Sequence, residues 1–163
     1  VFRLSNIAHN TLTINGERHL VESNAPITRT FESKKQKGAE VDLSTVFANS
    51  VKKAVRTVIL DQKDHLEVID RLETRDKEAT VSWIMVTPAE AKITGKNRIE
   101  LTKDGQRMLL TADTGTEVEM KIWSNVPPHE YDFRNPGTIR VGFETVIPAN
   151  RASQLKVRLI PLK

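Results

Sequence analysis

Apolar and polar residues alternate with a period of two along most of the chain, which predicts β-strands with one buried and one solvated face. In Thr11-Leu12-Thr13-Ile14 the aliphatic side chains share one face and the threonines the other. Asn15-Gly16 follows, a pair that tolerates positive φ and suits a two-residue hairpin turn, so Glu17 to Val21 is expected to return as the partner strand. Pro26 opens a further strand, Ile27 to Glu32, after which Lys34-Lys35-Gln36-Lys37-Gly38 reads as a polar loop. Asp42 is placed to cap one short helical turn running to Ala48.

Ala54 to Leu60 and Leu66 to Leu72 are β-rich runs flanking Asp61-Gln62-Lys63-Asp64, which reads as a hairpin loop. Ala79 to Thr87 sets Val81, Trp83 and Met85 on one face, and Pro88, lacking an N–H, stops the pairing. Arg98 to Thr102 and Gln106 to Ala112 flank Lys103-Asp104-Gly105, whose Asp-Gly suits a tight reversal. Glu117 to Trp123 turns Val118, Met120 and Ile122 inward, and Trp123 shares parity with the outward Glu119 and Lys121 as a surface aromatic. Asn125 to Gly137 holds three prolines and the only tyrosine, and reads as irregular. Thr138 to Ile147 and Gln154 to Ile160 complete the set. About ten short strands with turn chemistry between them predict an all-β fold, an antiparallel β-sandwich of two stacked sheets. No fixed-period repeat or linker divides residues 1–163, so one sandwich domain is expected.

Composition narrows the function classes. The 163 residues suffice for a buried core, and 38% hydrophobic content suits strands with one wet face. No stretch approaches the roughly 20 apolar residues of a membrane-spanning helix. The absence of cysteine removes disulfides, thiolate catalysis and zinc ribbons together. Twenty-five basic against 21 acidic residues leave a net charge of +4, compatible with an anionic ligand and equally with ordinary solubility. Aromatics at 5%, with basic residues interspersed among acids, argue against nucleic acid. Val1-Phe2-Arg3-Leu4 opens the chain inside what reads as a strand, without an initiator methionine or signal-like run, and the expectation is a piece of a larger protein.

The usual catalytic signatures are missing: no Gly-x-Ser-x-Gly, no phosphate-cradling glycine loop, no His-Glu-x-x-His, no calcium loop. Asp61 and Asp64 are explained by solvation of a turn. Of the four histidines, His19, His65 and His129 read as structural or surface residues. His9 stands at a strand entrance ahead of Asn10 and Thr11, where an imidazole serves as a metal ligand, a positioned polar group, or an ordinary structural residue. One histidine is not a zinc site, which takes about four ligands.

The segment Ala8-His9-Asn10-Thr11-Leu12-Thr13-Ile14-Asn15-Gly16 resembles a recurrent motif of the heparinase II/III-like family of polysaccharide lyases, with Phe2-Arg3-Leu4-Ser5 as its lead-in. Val41-Asp42-Leu43-Ser44-Thr45-Val46-Phe47 is similar to the family's Asp-Leu segment, and Arg56 stands where an arginine opens the next strand. Leu66-Glu67-Val68-Ile69-Asp70-Arg71-Leu72 and Val81-Ser82-Trp83 resemble the two strands after it. The resemblance runs in order to Pro88; beyond that, the chain is a compatible succession of strands.

The resemblance implies a helical toroid upstream, followed by this C-terminal sandwich, in a periplasmic or secreted enzyme that cleaves uronic-acid-containing acidic polysaccharides by β-elimination. It implies His9 as a zinc ligand in the full-length parent, with the other ligands and the catalytic histidine upstream of Val1. No catalytic residue is carried over to this chain, which is expected to be inactive alone and not to hold zinc firmly by itself. A stand-alone carbohydrate-binding sandwich and a purely structural interaction domain remain as alternatives.

Overall fold

The computed structural model describes residues 2–163, and it is almost entirely β-structure. The strands are β1 (Leu12–Ile14), β2 (Ile27–Glu32), β3 (Gln36–Asp42), β4 (Val51–Asp61), β5 (Leu66–Thr74) and β6 (Ala79–Thr87). They continue with β7 (Glu90–Gly95), β8 (Arg98–Lys103), β9 (Gln106–Thr114), β10 (Glu119–Ser124), β11 (Ile139–Ile147) and β12 (Ala152–Leu162). One sheet has the order β1-β6-β11-β10 and the other β2-β3-β4-β5-β12-β9-β8-β7, all antiparallel. The expected antiparallel sandwich is therefore present, with twelve strands rather than ten.

The two additional strands are the ones whose composition hides them. β3 begins inside the supposed polar loop at Gln36, and β7 follows Pro88 almost at once. Pro88 does end β6, and the chain resumes in the opposite sheet, so the proline marks a change of sheet. The opening residues form short 3₁₀ turns, Phe2–Leu4 and Asn6–Ala8, in place of the strand expected there.

Asn15-Gly16 does make its tight turn, with φ of 54° and 68° and a bond from Glu17 N to Ile14 O of 3.0 Å. No strand returns along β1. Its partner is β6, with Leu12 opposite Trp83 and Ile14 opposite Val81. The Asn15 side chain accepts Thr80 N at 3.0 Å, fastening the turn to β6. The segment after it leans on the Leu43–Ser50 turns instead, where Leu20 N donates to Val46 O. Those turns contain the expected single helical turn, with Phe47 N donating to Leu43 O at 3.2 Å and Asp42 capping it by accepting Ser44 N at 2.9 Å.

The core lies between the sheets. Leu12, Ile14, Val81, Trp83, Val141 and Phe143 of the small sheet meet Ala54, Val68, Leu72, Leu110, Leu155 and Val157 of the large one. Phe143 is fully buried and stacks on Trp83 at 6.1 Å, and burying such a side chain contributes roughly 1.5–3 kcal/mol. Met120 faces inward as expected, whereas Ile122, two residues further along β10, is 40% exposed. Trp123 is half-buried, with the Arg140 guanidinium 5.9 Å from its ring. The open aromatics are instead Tyr131 and Phe133 of the irregular segment.

Candidate functional site

The small sheet is half the width of the large one, and β1, three residues long, is one of its edges. His9 and Asn10 sit immediately before that edge, and the segment 5–11 is tied to both sheets. Asn10 Oδ1 accepts Val86 N at 2.8 Å, and Thr11 O accepts Ile84 N at 3.2 Å, so β6 fixes one side. On the other side Arg56 of β4 donates from Nη1 to Asn10 O at 3.0 Å. Asn6, buried beneath, donates to Thr13 Oγ1 and Glu17 O, both at 3.0 Å.

Arg56 reaches Asn10 because it stands on the inner face of β4, sharing parity with Ala54 and Val58. Opposite it in register is Asp70 of β5, which shares parity with the core residues Val68 and Leu72. The two form a fork: Nε to Oδ1 at 2.7 Å and Nη2 to Oδ2 at 2.9 Å. The side chains are 13% and 1% exposed, so this is a buried ion pair with both carboxylate oxygens engaged.

His9 is exposed, and its Nδ1 lies 2.7 Å from Ser5 O. A carbonyl only accepts, so Nδ1 carries the hydrogen, and in the neutral ring Nε2 keeps its lone pair toward solvent. That is the state in which an imidazole binds a metal. Nearby His19 contacts Leu12 O through Nε2 at 3.3 Å and meets Phe47 edge-on. Burial pushes the His19 pKa below its ordinary value; the Leu12 bond opposes this, and the charges of His9 and Arg56 add to it. Among the described residues, no group of three or more His, Cys, Asp or Glu could hold a metal ion. His9 thus offers one donor and no complete site.

His65 and His129 are elsewhere: His65 pairs with Asp61 at 3.4 Å, and His129 stacks on Tyr131 at 5.0 Å. The sequence motifs single out His9, and also Arg56 and the strand that carries Asp70, but not the fork that joins the last two. The available signal was an arginine and an aspartate at core parity in two strands joined by a hairpin.

The family model for the heparinase II/III-like C-terminal region matches residues 2–160. The chain belongs to the heparinase II/III-like family. Its sandwich superposes on heparinase III with a TM-score of 0.72 at 13% identity, covering 95% of this chain and 24% of that one. A heparan sulfate lyase HepC mutant from Pedobacter heparinus gives a TM-score of 0.70 at 17% identity, over 95% and 24%. The heparinase III BT4657 gene product gives 0.70 at 15%, over 96% and 24%. At these identities the likeness is one of fold, and this heparinase-like chain spans about a quarter of each matched structure. No curated protein sequence matches it.

Proposed function

We propose that this chain is the C-terminal sandwich of a lyase that degrades uronic-acid-containing acidic polysaccharides by β-elimination, working with a helical toroid outside residues 1–163. In that reaction a base takes the C5 proton of the uronate, and its electron pair forms a C4–C5 double bond. The bond from C4 to the bridging oxygen breaks, and an acid protonates the departing oxygen. Neutralising the uronate carboxylate stabilises the charge that builds during proton removal. These groups are assigned to the toroid and the upstream strands, and none to this chain.

His9 is proposed as a zinc ligand of that enzyme. The observation carrying the assignment is the Nδ1 contact with Ser5 O, which leaves Nε2 of an exposed ring open. The zinc would supply a fixed positive charge joining this edge of the sandwich to the polypeptide bearing the other ligands. A periplasmic or secreted location goes with this reading, and no helix among the described residues is long and apolar enough to cross a membrane.

The chain alone is expected to release no unsaturated uronide from heparan sulfate, chondroitin or alginate, followed by ultraviolet absorbance; activity would overturn this division of labour. In the full-length lyase, His9→Ala should lower bound zinc or thermal stability more than His65→Ala, and equal effects would remove His9 from the metal centre.

A carbohydrate-binding role for the isolated sandwich is favoured by one observation: Tyr131 and Phe133 are 80% and 82% exposed. Titrating the chain with uronate oligosaccharides before and after Tyr131→Ala separates the two readings, since only this one expects the chain alone to bind.

A further inference from the structure

The Arg56–Asp70 pair stands in the wrong place for a simple stabilising role. Removing two charges from water costs more than their attraction commonly returns, and a well-packed apolar pair in the same volume is often as stable or more so. Both side chains nevertheless lie on the inner face of the large sheet, among Ala54, Val58, Val68 and Leu72. What an apolar pair would lack is the third arm of the guanidinium, the Nη1 bond to Asn10 O.

That arm completes a set of restraints on one residue. Asn10 is held at its carbonyl by the large sheet through Arg56, and at its side chain by the small sheet through Val86 N. His9, its neighbour, has its ring held at Nδ1 by Ser5 O. The imidazole is thus fixed at the backbone that follows it and at the nitrogen opposite its free lone pair. Asp70, by occupying Nε and Nη2, sets the plane of the guanidinium and hence the direction of Nη1.

We infer that Arg56 and Asp70 are positioning residues that set His9 for metal binding, and that the pair is buried for this purpose. The inference rests on the reading of His9 as a zinc ligand. Its mechanical part, the hold on Asn10, does not.

The test uses Arg56→Met combined with Asp70→Leu, which removes both charges and leaves neither unpaired. In the chain itself, amide exchange at Val86 should accelerate at least about tenfold relative to Phe143 in the centre of the same sheet, reporting release of Asn10 by local opening. In the full-length lyase, zinc affinity measured against a chelator should fall about tenfold, the low end of the effect of losing a direct partner of a ligand, because the pair reaches His9 only through Asn10. Wild-type exchange at Val86 together with wild-type zinc affinity would overturn the inference. If the double variant does not fold, Arg56→Lys serves: it keeps a charge beside Asp70 but cannot hold both partners, so zinc affinity must fall for the inference to stand. Failure of the zinc reading is recognised separately, because His9→Ala would then leave zinc bound while Val86 exchange still reports the hold on Asn10.

Discussion

His19 presents its imidazole to Phe47 edge to face, with ring centroids 4.7 Å apart and an angle of 89° between the planes. The contact places a titratable ring against the apolar residues beneath the β1 edge, and burial there disfavours the charged form. With the folded pKa below the ordinary 6.5, the unfolded chain binds the proton more readily. Stability is therefore full above that value and declines as pH falls from it toward the lowered folded value. Urea midpoints at a series of pH values from neutral to mildly acidic should show this slope, and His19→Gln should flatten it. An unchanged slope in the variant would mean that other groups set the acid response.

Gly142 and Gly105 both take positive φ, but they should respond to alanine by different amounts. At Gly142 the φ of 154° would aim a Cβ at the paired strand β6, 1.8 Å from the Trp83 carbonyl oxygen. Backbone cannot yield there as a flexible side chain would, so Gly142→Ala is expected to cost about 3 kcal/mol or more. Gly105 has open space around it but a φ of 75° in the β8–β9 turn, so its alanine variant should cost only about 1 kcal/mol. Chemical denaturation of the two variants checks the order; similar costs would refute the backbone clash at Gly142.

Lys121 and Glu144 form the polar centre of the small sheet's outer face, with Nζ 2.6 Å from Oε2 and Ser82 Oγ 3.0 Å from Oε1. The bond from Lys121 holds the Glu144 pKa below its ordinary value of 4.5; burial opposes this and Ser82 assists. The stabilisation is thus present above 4.5 and lost as pH falls through the lowered folded value. Both side chains are about one-third exposed, so a double-mutant cycle with Lys121→Met and Glu144→Gln should give a coupling of only about 0.5–1 kcal/mol at neutral pH. The coupling should vanish in acid. Persistence there would show that packing, rather than charge, links the pair.

Alternation made most of this fold legible. β6 matches its sequence span from Ala79 to Thr87, and the β8–β9 reversal falls on Asp104-Gly105. Where the reading failed, the missing information was long-range. Asn15-Gly16 encodes a turn, but what β1 pairs with is decided by Val81 and Trp83 covering Ile14 and Leu12, and local turn chemistry carries none of that. β3 was hidden because its first half is polar and lies on a largely exposed flank of the large sheet, where alternation is not enforced by burial. At the candidate site, His9 was visible through its surrounding motif. Its hold was not, because Arg56 meets Asp70 only through the β4–β5 register and Asn10 only through the stacking of the sheets.

The crossing from β11 to β12 carries the chain between sheets, and Thr74 secures it. Its hydroxyl donates to Pro148 O at 2.6 Å and accepts Arg151 N at 2.9 Å, while its own N–H donates to Arg151 O at 2.9 Å. Asn150, with φ of 52°, gives its N–H to Arg75 O at 2.7 Å, so the connection is bound back to the end of β5 along its length. Thr74 is 3% exposed, and water cannot readily replace the hydroxyl. Thr74→Val keeps the volume but strands a buried donor and acceptor, which should cost about 1–3 kcal/mol. Thr74→Ser keeps the hydroxyl and loses only a methyl group, so it should cost less than half as much. Equal losses in the two variants, measured by thermal or urea unfolding, would mean that the methyl group and not the hydroxyl holds the crossing.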